Sequence, residues 1–209
     1  MVITALSQKG NNVIISLDDG EFITLDYRTV IDYGLRKNDI IDENKRERLI
    51  SESNFLKAKD SAFRFLGRRH HSISELKTKL IKKKYSSDII EKVISDLTSR
   101  NFLDDVQFAE SYVEERAIKK KVGVNKLKSE LYKKGIDRNI TEKILAGVNQ
   151  ETSYENAYQL ALKKNESLLK RGQDSRKRKS KIFGFLSSRG YEPDVIIKVL
   201  NNIVKAEDE

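Results

Sequence analysis

The chain has 209 residues, of which 38% are hydrophobic and 35% are charged, a polar composition that favours thin, elongated packing over one thick core. Lys and Arg total 41 against 32 Asp and Glu, so the formal net charge is +9 and polyanions are the first partners to consider, ahead of an anionic membrane surface. No Cys, secretory signal or bilayer-length apolar stretch is visible, which excludes disulfides and predicts a cytoplasmic protein with no membrane partner.

The first 50 residues predict a small β unit followed by a connector. Val2–Leu6 and Val13–Leu17 are apolar runs of high β propensity. A turn sequence at residues 18–20 separates them from a third run, Phe22 to Leu25, whose apolar residues alternate. From about Asp26 the pattern changes, and we predict a partly helical connector that includes the charged stretch at residues 42–48.

From about Ser51 onward, apolar residues recur at helical spacing, and one apolar pattern occurs three times with shifts of 51 and then 55 residues. Each copy has a helix with apolar residues four apart, a break, and a second helix with apolar residues at i, i+4, i+5 and i+8. The matched positions are Leu76, Leu80, Ile89, Val93, Ile94 and Leu97, then Leu127, Leu131, Ile140, Ile144, Leu145 and Val148, then Ile182, Leu186, Val195, Val199, Leu200 and Ile203.

A further helical segment precedes each pair, at residues 57–69, 106–120 and 154–170. We therefore predict a mainly all-α protein with three tandem three-helix repeats in an elongated array, preceded by a small N-terminal β unit. The predicted divisions are 1–50 for the β-containing region and connector, and 54–103, 104–150 and 151–206 for the three repeats.

Helix ends carry recognisable signals. Gly135 and Gly190 occupy equivalent positions at which a helix can end in a left-handed residue, and Pro193 stands where the next helix would begin. Lys84 takes the glycine position in the first copy, at a cost of about 1 kcal/mol for a left-handed non-glycine residue, so we expect a differently shaped turn there. The capping pairs are Ser72 with Glu75, Asp104 with Gln107, and Thr152 with Glu155.

Basic residues cluster on the first two helices of every copy. Single cations near helix C-termini, such as Lys83, Lys134 and Arg189, can simply complement the helix dipole. Whole clusters of like charge within a Debye length of roughly 8–10 Å instead favour a neutralising partner such as a phosphate backbone. The candidate contacts are Arg68, Arg69, Lys82 and Lys83, then Arg116, Lys119, Lys120, Lys121, Lys126, Lys133 and Lys134, then Arg176, Lys177, Arg178 and Lys179.

The residues that catalysis would need are poorly represented. The two histidines, His70 and His71, are adjacent and are interpreted as solvated or capping residues. An acidic group, Asp104 and Asp105 with Glu110, Glu114 and Glu115 downstream, could hold a divalent metal for nucleic-acid cleavage, but Asp104 already has a capping role. Residues 121–126 lack the second glycine and the Ser or Thr of a phosphate-binding loop. We therefore predict no catalytic, cofactor or metal site.

Two stretches carry a family resemblance. The first runs from Phe102 to Ala109, continues with Tyr112, Val113 and Arg116, and ends in Lys134-Gly135-Ile136. The second runs from Phe185 to Tyr191, and residues 75–80 add an upstream element. In order and spacing these residues resemble the RecX family, whose members regulate the RecA recombinase. The resemblance covers about residues 58–203; it leaves out the β unit, and Lys84 departs from the family's usual glycine.

The resemblance implies tandem three-helix repeats, no enzymatic activity, and binding in the groove of the RecA filament on single-stranded DNA. The expected effect is inhibition of strand exchange and ATP hydrolysis by a monomeric protein with weak, sequence-independent affinity for single-stranded DNA. An alternative stays open, in which two helices of one repeat contact duplex DNA like a helix-turn-helix and the protein acts in transcription. A preference for one duplex site would favour that alternative.

Overall fold

A computed structural model describes the backbone of residues 1–208 and the side chains of residues 1–203. The chain forms two compact units, residues 1–103 and the part from Asp104 onward. The described part is mainly helical with a small N-terminal sheet, which confirms the predicted fold class. The elements of the first unit are β1 Ile3–Lys9, β2 Asn12–Leu17, β3 Phe22–Asp26, α1 Tyr27–Asp32, α2 Glu43–Leu66, α3 Ile73–Lys82 and α4 Ser87–Ser99.

The second unit begins with α5 Asp105–Glu114, which continues into a π-helical turn, Glu115–Lys119. The helices that follow are α6 Val124–Lys133, α7 Arg138–Ala146, α8 Gln150–Leu169, α9 Ser175–Ser188 and α10 Pro193–Asp208. One apolar core joins α5, α6 and α7, and another joins α8, α9 and α10. Each core centres on the leucine or isoleucine pair that the internal repeat predicted, since Leu127, Leu131, Ile182 and Leu186 are at most 1% exposed.

The β unit is an antiparallel meander in the order β1-β2-β3. Alternate residues of each strand point to one side, where Ile3, Ile15 and Leu25 are fully buried. Ile41 and Leu49 complete this core, so α2 covers the inner face of the sheet. The small sheet is therefore stable only because a helix buries its apolar face.

Helix α2 is longer than the sequence predicted. Residues 43–48, interpreted as connector, form its first turns, and Asp42 caps it by accepting a hydrogen bond from the Lys45 amide (2.7 Å). The apolar spacing did not predict these first turns, because a small polar residue, Ser53, takes a buried position of the helix. The Ser53 hydroxyl accepts a hydrogen bond from the Asp26 amide (2.7 Å). The helix runs without interruption through residues 50–54, where the repeat pattern predicts a division.

The turn between α3 and α4 has the same shape as its counterparts. Lys84 adopts φ +64°, beside +73° for Gly135 and +86° for Gly190. The next residue donates to an equivalent carbonyl in all three copies: Tyr85 to Leu80, Ile136 to Leu131 and Tyr191 to Leu186 (3.4, 3.1 and 3.2 Å). The expectation of a different turn in the first copy was wrong, because packing of the flanking helices imposes the left-handed residue whatever its side chain.

Two of the three predicted capping pairs hold the N-cap hydrogen bond. Ser72 Oγ accepts from the Glu75 amide (3.1 Å), and Asp104 Oδ1 accepts from the Val106 and Gln107 amides (2.7 and 3.1 Å). The pair Thr152–Glu155 was wrong. Asn149 caps α8 instead by accepting from the Thr152 amide (3.0 Å), so that helix begins three residues earlier than a Thr152 cap would allow.

Candidate polyanion-binding surfaces

In the first repeat, all four candidate cations are exposed, and one of them, Arg69, is engaged by a carboxylate of the same repeat. Arg68, Lys82 and Lys83 are exposed, and Lys83 stands at the C-cap of α3. Arg69 Nη1 donates to Glu75 Oε2 (2.9 Å) and to the His70 carbonyl (2.8 Å). The hydrogen bond to Glu75 raises the pKa of Arg69, so this cation is partly neutralised inside the repeat.

The adjacent histidines differ. His70 is exposed, whereas His71 is buried, with Nδ1 2.9 Å from the Arg69 carbonyl and its ring 6.3 Å from that of Phe65. Burial lowers the pKa of His71 and favours its neutral form. The interpretation of His71 as solvated or capping was wrong, because its ring packs in the interior beside Phe65.

In the second repeat, Arg116 takes part in a side-chain network. Its Nε donates to Glu130 Oε2 (2.9 Å), and the Tyr112 hydroxyl donates to the same oxygen (2.9 Å). Burial alone would raise the pKa of Glu130, but the hydrogen bonds from Arg116 and Tyr112 outweigh it and lower that pKa. Arg116 thus joins α6 to the π-helical turn and is only partly available to a partner.

Other basic side chains of this repeat have local contacts. Lys134 Nζ lies 4.9 Å from the centroid of the Tyr112 ring and 5.6 Å from that of Phe108, within the range of cation–π attraction. Lys126 Nζ lies 3.4 Å from the Ser188 carbonyl. The side chains of Lys119, Lys120 and Lys133 are exposed, while Lys121 is half-buried.

The third repeat places its candidates at the start of α9. Asp174 caps this helix by accepting from the Lys177 amide (2.9 Å), and Lys177 Nζ lies 3.3 Å from its carboxylate. Arg178 donates to Asn165 Oδ1 (3.0 Å) and to the Gln173 carbonyl (3.1 Å), which fixes it against α8. Arg176 and Lys179 are exposed. Cations at this end oppose the helix dipole, and a bound anion would relieve that repulsion.

The second and third repeats meet at a close backbone junction that sequence reasoning missed. The Gly123 amide donates to the Arg189 carbonyl (2.9 Å), and the Asn125 amide donates to that of Gly190 (3.0 Å). A Cβ atom on Gly123 would lie 2.4 Å from Gly190 backbone atoms. The junction is thus a direct contact between two glycines. The sequence signal for it was Gly123, which lies in the stretch 121–126 that lacks the pattern of a phosphate-binding loop.

Side chains from both repeats extend this junction. The Tyr191 hydroxyl donates to the Lys121 carbonyl (2.9 Å), and Arg189 Nη1 donates to that of Lys120 (3.1 Å). Burial raises the pKa of Tyr191 to about 12, so the hydroxyl keeps its proton. Because the acceptors are backbone atoms of the basic run 119–121, the third repeat fixes the position of this run.

Within the described part of the chain, no group of three or more His, Asp or Glu side chains is placed to hold a metal ion. No described helix is both long enough and apolar enough to span a membrane. Asp104, the first residue of the acidic group considered as a metal site for nucleic-acid cleavage, uses its carboxylate to cap α5. The fold and surfaces thus define a tandem three-helix repeat protein with exposed cationic clusters on each repeat.

Comparison with known proteins shows which family of repeat proteins this chain belongs to. Models of the first, second and third three-helix domains of RecX match residues 58–97, 104–145 and 150–200. The chain is 32% identical to a regulatory protein RecX of Clostridioides difficile, over 99% of this chain and 98% of the relative. It is 33% identical to one of Clostridium acetobutylicum, over 96% and 94%. The chain belongs to the RecX family of regulatory proteins.

Solved structures of this family share the fold. A crystal structure of regulatory protein RecX covers 96% of this chain and 98% of its own, with a TM-score of 0.74 at 22% identity. A RecX structure from Lactobacillus salivarius covers 71% of this chain and 96% of its own, with a TM-score of 0.65 at 26% identity.

Proposed function

We propose that this protein regulates the RecA recombinase without catalysing a reaction itself. It lies along the groove of the RecA filament on single-stranded DNA and suppresses ATP hydrolysis and strand exchange. The observation that carries this proposal is membership of the RecX family along nearly the whole chain, with three domain models matched in order. We expect it to act as a monomer in the cytoplasm, in recombination and DNA repair.

The exposed cations supply the chemistry for such a partner. Lys119, Lys120 and Lys133 in the second repeat and Arg176 and Lys179 in the third have side chains open to solvent. Phosphate oxygens or an acidic filament surface would neutralise them, with the strong salt dependence of counter-ion release. Arg69, Arg116 and Arg178 contribute less in this proposal, because carboxylate or amide partners inside the repeats already engage them.

The test is RecA ATPase on single-stranded DNA with increasing amounts of this protein. We expect inhibition at stoichiometric or lower ratios, and no change at a stoichiometric ratio would contradict the proposal. The variant Lys119→Gln/Lys120→Gln/Lys133→Gln should inhibit less than a control of equal charge, Lys9→Gln/Lys92→Gln/Lys198→Gln, whose exposed lysines lie outside the clusters.

A competition assay distinguishes this proposal from the alternative, in which the protein recognises duplex DNA and acts in transcription. A filament regulator should bind random and specific duplexes equally weakly, because phosphate contacts carry no sequence information. Selection of one duplex over random DNA by several orders of magnitude would instead establish a sequence-reading helix.

A further inference from the structure

The second unit contains an open groove between α5, α7 and the start of α8, with a volume of about 670 Å³. Its floor is apolar and includes Val113, Ile144 and Val148. Its charged lining residues are two carboxylates of α5, Glu110 and Glu114, and one cation of α7, Lys143, all exposed, so the acids outnumber the cation. Volume and apolar lining fall in the range of specific binding sites.

The first repeat differs in what lies open: its opening between α2 and α4, of about 570 Å³, is lined by Phe55, Lys92 and Asp96 and by none of the apolar stripe of its second helix. Ile89, Val93 and Leu97 of α4 are at most 3% exposed. The residues 51 positions later, Ile140, Ile144 and Val148, are only half-buried and line the groove. The same apolar stripe is thus covered in one repeat and open in the other.

Four side chains on α2, on α4 and just after α4 form two contacts that have no counterpart in the second repeat. Lys59 Nζ forms an ion pair with Asp96 Oδ2 (2.7 Å). Phe63 packs edge-to-face on Phe102, with ring centroids 5.1 Å apart. By the 51-residue shift, the counterparts are Glu110 with Gly147 and Glu114 with Ser153, all of which line the groove. At the matching positions, the second repeat therefore has neither this ion pair nor this aromatic contact.

The two carboxylates add a second argument. Glu110 and Glu114 are four residues apart on one helix face, a spacing at which like charges repel. Among the residues that the structure describes, neither carboxylate has an ion-pair partner, although the chain as a whole carries a formal net charge of +9. A cation supplied from outside would remove this repulsion.

We propose that this groove binds an amphipathic helix of a partner protein that carries an aromatic or aliphatic anchor and one or two Lys or Arg residues. The anchor enters the apolar floor, and the cations meet Glu110 and Glu114, so the helix supplies what Lys59, Phe63 and Phe102 supply in the first repeat. Val106 and Ile118, at the two ends of the groove, are 44% and 58% exposed. They lie roughly 18 Å apart along α5 and its π-helical turn, which is the length of a three-turn helix.

The probe for this proposal is a synthetic 14-residue Ala-based helical peptide with Leu, Phe and Leu at i, i+4 and i+8 and Lys beside them. Its binding to the full chain is measured by fluorescence polarisation and by amide chemical-shift mapping. We expect saturable binding, with shifts at Val113, Ile144 and Val148. The same peptide with Glu in place of Lys, and one with a dispersed apolar stripe, should bind at least tenfold more weakly.

Variants of the protein test each part of the site. Glu110→Gln/Glu114→Gln should weaken peptide binding roughly tenfold because it removes two ion pairs, while the control Glu47→Gln/Glu166→Gln, which has the same net charge, should not. Glu110→Lys/Gly147→Asp would rebuild the ion pair of the first repeat across the opening. It should abolish binding without lowering the thermal midpoint, since Gly147 has negative φ and its Cβ position allows ordinary contact.

Several results would overturn the proposal: no saturable binding, equal binding of the Glu peptide, or equal weakening by both neutralised pairs. Shifts in the groove with spermidine but not with the peptide would assign it to a small cation instead. The proposal is independent of RecA regulation, because the groove variants leave the exposed lysine clusters intact and RecA ATPase is measured separately.

Discussion

Glu130 shows how a residue that looks like an isolated acid among cations can act structurally. It is the single acid in the basic stretch between Arg116 and Lys134, so the sequence alone places it among cations. The sequence could not show that Arg116 and Tyr112 both bind its carboxylate, because that depends on how the π-helical turn aims the arginine. The direction in which each side chain points, rather than its residue type, decides which cations are engaged by acids of the same chain and which are free to meet a partner.

Replacing Glu130 by Gln should destabilise the second unit by about 1–3 kcal/mol at pH 7, the usual range for a charge-assisted hydrogen bond in a partly buried place. The folded-state pKa of Glu130 is lowered from its ordinary 4.5, so its contribution is present above about pH 4.5 and is lost as the pH falls through the folded-state value. Urea unfolding of both proteins at pH 7 and pH 3.5 measures this. An equal difference at the two pH values would contradict the assignment.

A second residue-scale prediction concerns the glycine junction. Gly190→Ala should cost about 2–4 kcal/mol, because it combines left-handed strain with a Cβ placed 2.3 Å from Lys126 Cβ. Gly172→Ala is the matched control, since Gly172 also has positive φ (+66°) but nothing within 4 Å of an added Cβ. It should cost only about 1 kcal/mol. Thermal unfolding of the two variants separates the effects, and equal destabilisation would leave no energetic role for the junction.

At the scale of elements, the internal repeat predicted most of the architecture. The buried positions of α3, α6 and α9 are the leucines and isoleucines that the shifts of 51 and 55 residues align, because burying a stripe demands the same spacing in each copy. The start of α2 was not predictable from that spacing, since its first buried residues, Leu49 and Ser53, lie outside the repeat, and Leu49 packs in the core of the sheet. The groove was not predicted either, because the apolar stripe has the same spacing in both repeats and the residues that differ lie outside it.

Lys84 provides the element-scale prediction. It ends α3 in the left-handed conformation at φ +64°, where its two counterparts are glycine. Lys84→Gly should therefore stabilise the first unit by about 0.5–1 kcal/mol, the left-handed penalty less the greater freedom of an unfolded glycine. The neighbouring change Lys83→Gly, at φ −85°, should destabilise it instead. Differential scanning calorimetry gives both midpoints, and a fall in both would contradict the role assigned to position 84.

At the scale of the whole molecule, the separation of structural from exposed cations decides how the protein should respond to salt. The formal charge of +9 counts every cation equally, yet Arg28, Arg69 and Arg116 are engaged by carboxylates inside the fold. Only cations free to meet phosphate release counter-ions on binding. The salt dependence of DNA binding should thus follow the exposed clusters rather than the total charge.

Neutralising Lys119, Lys120 and Lys133 together should weaken the salt dependence of binding to single-stranded DNA. The slope of log K against log salt should fall in magnitude by roughly 2, because each phosphate that is no longer neutralised removes about 0.7. The control Lys9→Gln/Lys92→Gln/Lys198→Gln removes the same charge and should leave the slope within about 0.5 of the wild type. Fluorescence anisotropy of a labelled oligonucleotide between low and moderate salt measures both. Equal slopes for the two variants would mean that net charge rather than these positions governs binding, because screening alone acts on all exposed charges alike.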